Sequence, residues 1–218
     1  MVPVALRELA PAYYVGTTHK WVCAPKGTAF LFVRRDMQAR IRPLSISSGA
    51  DDTRTDRSRF RLEFDWTGTC DPTGWLTIPA AIERIGGILT SGWPALRSSN
   101  RQLAIAARRM LAETLQTALP APDSMIGSMA AVRLPGGPWP RAEAARQMAT
   151  IEAALRSRQI EVPLMVWPCP WLVDSGDLPE STEFELLVRI SAQAYNHFGQ
   201  YERLASVLSG VTTLSRAT

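Results

Sequence analysis

An α/β segment followed by a separate α+β domain is the architecture this sequence predicts, and three observations predict it. Two short apolar runs, residues 12–15 and 28–34, flank a polar turn. A long amphipathic stretch fills residues 93–119. Beyond it the pattern reads strand, helix, strand, strand, helix, the order of a small antiparallel sheet with packed helices.

The first strand, Ala12-Tyr13-Tyr14-Val15, ends at Gly16, and Thr17-Thr18-His19-Lys20 forms a loop past its end. Pro25 and Gly27 mark the turn into the second strand, which is rich in β-branched and aromatic residues. Residues 43–59 are polar and belong to a surface or interface. Phe60, Leu62 and Phe64 alternate with Arg61 and Glu63, so period two predicts a short strand. Pro72 opens a helix with Asp71 as its cap, Leu76, Ile78, Ala81, Ile82 and Ile85 on its face, and Gly86-Gly87 as its stop. In the long helix Leu96, Leu103, Ala107, Met110 and Leu111 recur at helical spacing until Pro120 and Pro122. Strands follow at 129–134, 160–167 and 184–190, with helices at 141–158 and 201–208. The domain reading is 1–91, a helix linking the domains at 92–119, and 120–218.

With 46% apolar and 20% charged residues, the composition is that of a globular protein. A formal charge of +4 on scattered arginines lacks the concentrated stripe of a nucleic-acid binder. Cys23, Cys70 and Cys169 have neither disulfide-framework nor zinc spacing, and the reading includes no metal site. No apolar run reaches transmembrane length and residues 1–10 do not form a signal peptide, so a cytoplasmic protein is expected, with no membrane partner.

The chemistry-bearing candidates cluster around Lys20. A lysine amine condenses with an aldehyde as a Schiff base and later carries a proton. Thr17, Thr18 and His19 beside it are suited to an anionic group, and Arg34 is a candidate neighbouring cation. Gly68-Thr69 offers a backbone amide and a hydroxyl in a turn suited to an anion. Arg189 lies within a strand and has the shape for a carboxylate. Each has a plain alternative on spacing alone: a surface lysine, a capped loop, a turn leading into a helix, a cross-strand ion pair.

Thr17-Thr18-His19-Lys20-Trp21, Ala24-Pro25-Lys26-Gly27 and Phe30-Leu31-Phe32-Val33-Arg34-Arg35-Asp36 resemble the cofactor-lysine region of class V aminotransferase-fold enzymes, most nearly the isopenicillin N epimerase-like proteins. The likeness continues through Phe64-Asp65-Trp66-Thr67-Gly68-Thr69-Cys70-Asp71-Pro72, Gly92-Trp93-Pro94, Ser99-Asn100, Ile160-Glu161-Val162-Pro163 and Val188-Arg189-Ile190-Ser191-Ala192-Gln193-Ala194-Tyr195-Asn196. It implies the PLP-dependent transferase fold type I and pyridoxal 5'-phosphate as cofactor. Lys20 is then the catalytic, cofactor-bearing lysine. Thr17 and His19 hold the phosphate, Gly68 and Thr69 reach the phosphate of the partner subunit in a homodimer, and Arg189 binds the α-carboxylate of an amino-acid substrate.

The reaction implied is epimerase-like or aminotransferase-like chemistry at the α-carbon, with a cysteine-desulfurase-like lyase as a further reading. Full-length relatives of this type carry a long segment before the lysine, whereas 19 residues precede Lys20 here. The expectation is therefore the C-terminal half of such an enzyme: a remnant of the large domain with an intact small domain. Such a chain would have impaired activity alone, or be a non-catalytic fragment requiring a complementary N-terminal half.

Overall fold

In a computed structural model that describes residues 1–214, the chain divides into two units. Residues 3–88 form one; residues 1–2 and the chain from Leu89 onward form the other.

The first unit begins with a single helical turn, α1 (Leu6–Leu9), followed by β1 (Tyr13–Thr17) and β2 (Ala29–Val33). The two strands pair antiparallel, with Tyr13 opposite Val33 and Thr17 opposite Ala29. Short 3-10 turns at Arg35–Arg40 and Ser48–Ala50 lead to α2 (Arg59–Phe64). That element is a helix where the alternation of Phe60, Leu62 and Phe64 predicts a strand. Ser58 caps it by accepting the Arg61 N–H, and the rings of Phe60 and Phe64, one helical turn apart, lie 4.6 Å centroid to centroid. Glu63, on the same helix, is buried between Arg42 and Arg59. The Ser58 cap and the two pairs one turn apart, Phe60–Phe64 and Arg59–Glu63, outweigh a three-residue alternation.

The next helix also departs from expectation. It is broken into α3 (Thr73–Leu76) and α4 (Ile78–Gly86) at Thr77. Pro79 has no N–H to continue the ladder, and it fits only at the first turn of a new helix. Asp71 accepts the Thr73 N–H at 2.9 Å from one position before the cap.

The second unit is built on α5 (Gly92–Leu115), β3 (Met129–Arg133), α6 (Arg141–Ser157), β4 (Leu164–Trp167), the short α7 (Trp171–Asp174), β5 (Glu185–Ser191) and α8 (Phe198–Leu214). α5 stops before Pro120 because Gln116 turns left-handed and the Thr117 N–H reaches back to the Ala112 carbonyl at 3.0 Å. The sheet order is β3-β5-β4, antiparallel throughout, which is the predicted small α+β pattern. Ala130 opposes Ile190, Val132 opposes Val188, and Val166 opposes Leu186. These residues line one face of the sheet. They join a core with Ala104, Ala107 and Leu111 of α5, Ile151 and Leu155 of α6, and Leu204 and Leu208 of α8. The opposite face carries Ala131 beside Arg189.

Two polar links tie this unit together. Asn100, inside the buried stripe of α5, donates from Nδ2 to Gln193 Oε1 at 2.9 Å, and the same oxygen accepts the Ala194 N–H. Asp123 accepts from Arg108 and Arg109, while Arg101 donates to the Asp123 and Ile126 carbonyls.

Among the described residues no helix is long and apolar enough to cross a membrane, and no group of three or more His, Cys, Asp or Glu is placed to hold a metal.

Leu186 is wholly buried in the sheet core, so Leu186→Ala is expected to cost about 2–5 kcal/mol in urea unfolding. Leu44→Ala, at a fully exposed position of the first unit, should change stability by less than about 0.5 kcal/mol. Burial works to raise the Asp123 carboxyl, but hydrogen bonds from Arg108 and Arg109 outweigh it and hold the group below its ordinary value. The ion pair therefore contributes its full stabilisation above the usual carboxylate range and loses it as pH falls through the lowered value. Unfolding midpoints measured against pH should show that acid-side loss, and Asp123→Asn should remove that part of it.

Candidate functional site

The Lys20 turn is held by a compact set of hydrogen bonds. Thr18 is buried and donates its hydroxyl to Thr28 Oγ1 at 2.7 Å; Thr28 passes its own hydroxyl proton to the Pro25 carbonyl, also at 2.7 Å. Backbone bonds from Thr18 N–H to the Thr28 carbonyl and from Ala24 N–H to the Thr18 carbonyl close the loop at 3.0 and 3.1 Å. His19 Nδ1 lies 2.9 Å from the Thr28 carbonyl. A carbonyl oxygen only accepts, so Nδ1 carries a proton and donates it to that carbonyl. The backbone on both sides of Lys20 is thereby fixed, while the Lys20 side chain is exposed. Among the described residues, no hydrogen bond or ion pair engages its amine.

Thr17 ends β1 with an exposed side chain. Arg34 is not the cation beside Lys20. It sits at the far end of β2, donates to Asp36 from Nε and Nη2 at 2.6 and 2.9 Å, and donates to the Ala10 carbonyl at 2.9 Å. Gly68 has φ 127°, in the region that favours glycine, and Thr69 beside it is exposed. The other side of the lysine turn meets α3: Pro25, Lys26, Gly27 and Thr28 share a cleft of about 360 Å³ with Asp71, Thr73 and Gly74. Neither Lys20 nor Thr69 lines that cleft.

The arginines of residues 54–61 are largely committed within the chain. Arg54 pairs with Asp52, Arg57 with Asp56 and Asp65, and Arg61 with Asp65. Arg59 donates to the carbonyls of Gly49, Ala50 and Asp52. This arginine-rich stretch is thus neutralised largely from within.

In the other unit Arg189 lies on the central strand β5, exposed on the face away from the helices. It is not the cross-strand ion pair that spacing alone allowed; Arg133 and Glu185 make that pair at 3.0 Å. Among the described residues Arg189 has no carboxylate partner. A groove of about 400 Å³ runs beside it, lined also by Glu161, Ser191, Tyr195, Asn196 and Gln200. The chain after β5 is fixed by neighbouring bonds: Asn196 Oδ1 accepts the Gln193 N–H at 3.0 Å, and Tyr201 donates its hydroxyl to the Ser191 carbonyl at 2.7 Å. Burial, reinforced by Tyr195, pushes the Tyr201 phenol up, so it remains a neutral donor.

Lys20, Thr17 and His19 thus lie together on one turn, Gly68 and Thr69 on a second turn of the same unit, and Arg189 on the sheet of the other. Thr28 and the Asn100–Gln193 pair are the supporting residues that sequence reasoning missed. Asn100 had a legible signal: it is a polar residue within an otherwise apolar helical stripe, which asks for a buried partner.

The donor set fits an aldehyde-bearing, phosphorylated cofactor. An unengaged primary amine stands on a fixed turn, with hydroxyl and imidazole groups beside it and a second hydroxyl exposed at Thr69.

No protein-family profile matches the chain. It is 32% identical over 215 residues to an isopenicillin N epimerase of Amycolatopsis lactamdurans, covering 93% of this chain and 48% of that protein. A probable chloroplastic L-cysteine desulfhydrase of Arabidopsis thaliana is 26% identical over 211 residues, covering 96% of this chain and 42% of that protein. The solved apo structure of a cysteine desulfurase from Thermococcus onnurineus NA1 superposes with a TM-score of 0.63 at 18% identity, across 95% of this chain and 48% of that one. The chain spans about half the length of the relatives it matches, and over that half its fold is that of the cysteine desulfurases, the mixed α/β fold type I. Over that half the chain is a homologue of the isopenicillin N epimerases and the L-cysteine desulfhydrases, with the class V aminotransferase fold.

Proposed function

We infer that this chain carries the cofactor lysine and the substrate arginine of a pyridoxal 5'-phosphate-dependent protein acting at the α-carbon of an amino acid. The observation that carries this reading is the Lys20 turn, whose backbone is locked by Thr18, His19 and Thr28 while the amine is left unengaged.

When bound, the cofactor supplies an electron sink for charge at the substrate α-carbon. Lys20 would hold the cofactor through its aldehyde, and its amine would move the α-proton as base and acid. Thr17 and His19 would contact the cofactor's phosphate, and Gly68 and Thr69 would give an amide and a hydroxyl to the phosphate of a second subunit. Arg189 binds the substrate carboxylate with its planar fork of donors.

The relatives' names divide between epimerisation and cysteine desulfhydration. The proposed reaction is accordingly proton removal at the α-carbon, ending in inversion, transamination or loss of sulfide.

A specific feature of the chain makes the lysine test clean. Lys20 and Lys26 are the only lysines in the sequence. Sodium borohydride reduction in the presence of pyridoxal 5'-phosphate, followed by peptide mass mapping, is expected to fix the cofactor on Lys20. Lys20→Ala should abolish the adduct, and labelling confined to Lys26 would refute the assignment. In protein that gives the Lys20 adduct, Arg189→Gln should raise the amino-acid concentration needed for α-proton exchange in deuterium oxide by about 10–100-fold, the loss of a charge-assisted pair. Inversion, keto-acid formation or sulfide release, read in the same tube, assigns the reaction.

A further inference from the structure

The arginines of residues 54–61 are neutralised by their neighbours, but the basic groups just after β2 are not all so committed. Arg34 pairs with Asp36. Among the described residues the Arg35 side chain makes no hydrogen bond and no ion pair. It opens the 3-10 turn Arg35–Arg40 and lines a cleft of about 330 Å³ with Ile41, Arg42, Arg59, Phe60 and Glu63. That volume lies at the lower end of small-molecule pockets, roughly 300–1,000 Å³.

Glu63 organises the cleft. Its side chain is 3% exposed, and a buried carboxylate requires compensating charge. Arg42 donates to Oε2 from Nε, and Arg59, one helical turn earlier, stands with its Nε 3.7 Å from Oε1. Arg59 is also pinned by the carbonyls of Gly49, Ala50 and Asp52, so its charge is fixed while its terminal donors are spent. Arg42 spends only Nε. Its two terminal nitrogens make no hydrogen bond among the described residues, and its side chain is 62% exposed. Three guanidinium groups thus meet a single carboxylate that solvent hardly reaches, which leaves two positive charges unbalanced. Arg35 and Arg42 keep free forks of donors. Ile41 and Phe60 give the same cleft an apolar side, and Phe60 is steadied by its ring contact with Phe64.

We propose that this cleft is a binding site for a small phosphate monoester, a dianion carried on a compact apolar or aromatic body. The two unbalanced charges match the dianion, the forks of Arg35 and Arg42 match its oxygens, and Ile41 with Phe60 takes the carbon body. The site is separate from the Lys20 turn. Arg35 follows Val33, whereas the Lys20 turn lies beyond Thr17 and Ala29 at the other end of the hairpin. Those ends are separated by roughly 13 Å of strand. The site uses neither an aldehyde nor a lysine amine, so it holds or fails independently of the cofactor reading.

Phenyl phosphate is the probe, since it carries the dianion and a ring but no aldehyde to condense with lysine. Titration calorimetry of the full chain at low salt is expected to show one saturable site. Affinity, full at about pH 8, should fall below about pH 6, where a phosphate monoester takes up its second proton. Phenyl sulfate, a monoanion of the same shape, and inorganic phosphate, which has no ring, should each bind at least about tenfold more weakly. Arg35→Gln should weaken phenyl phosphate binding about tenfold or more, and Arg35→Glu should abolish it. Because Arg35 is exposed and unpaired, both variants should keep the wild-type unfolding midpoint. Lys20→Ala should leave binding unchanged. Hydrogen exchange on adding the probe should slow at residues 35–42 and 59–63. Absence of saturable binding, binding indifferent to Arg35→Glu, loss of binding in Lys20→Ala, or equal affinity for phenyl sulfate and inorganic phosphate each overturns the proposal.

Discussion

Strand β5 is hydrogen-bonded along both edges, to β3 and to β4, and much of the larger unit follows from that position. Its inward residues, Leu186, Val188 and Ile190, are the middle of a core reaching three helices. Their alternation leaves Arg189 on the outward face whatever the helices do, because the side-chain period of a strand is two. The cation is therefore held by the same register that buries the core, and a slip of one residue would sacrifice both. Beyond the strand, Asn100 and Tyr201 fasten the following turn to α5 and α8, so the groove beside Arg189 has a fixed far wall.

The Lys20 turn is stabilised differently. It has little packing to draw on, and its order comes from a chain of short polar contacts running from Thr18 through Thr28 to Pro25. Such contacts are directional and demand little volume. They orient a loop well without resisting the removal of its surroundings. A rigid apolar scaffold for the arginine and a polar latch for the lysine suit the two proposed roles, one a fixed ligand clamp and the other an amine that must change its bonding during each cycle.

Much of this was legible in the residues. The hairpin, the long helix and the closing antiparallel sheet follow from periodicity and turn chemistry, and the site candidates were found because their motifs occur in order along the chain. The misreadings have local causes. Phe60, Leu62 and Phe64 satisfy period two, yet Phe60–Phe64 and Arg59–Glu63 are also pairs four apart, and Ser58 tips the balance to a helix. Pro79 split the expected helix at Thr77. Arg34 looked like a neighbour of Lys20 by sequence distance, but antiparallel pairing carries it to the opposite end of the hairpin. The Thr18–Thr28 bond and the Asn100–Gln193 bond join residues whose partners only the fold selects. No spacing rule links positions ten or ninety-three residues apart.

Arginine supplies nearly all of the positive charge in this protein, and both lysines fall in the one turn between β1 and β2. A guanidinium stays protonated and is a poor nucleophile towards carbonyls, whereas a deprotonated ammonium group is a good one. The side-chain amines able to react with aldehydes, active esters or isothiocyanates are thus gathered at a single place. Beside the α-amine of Met1, acylating dyes and cross-linkers then report on that turn, and a fluorophore introduced through them would observe its surroundings without any engineered cysteine.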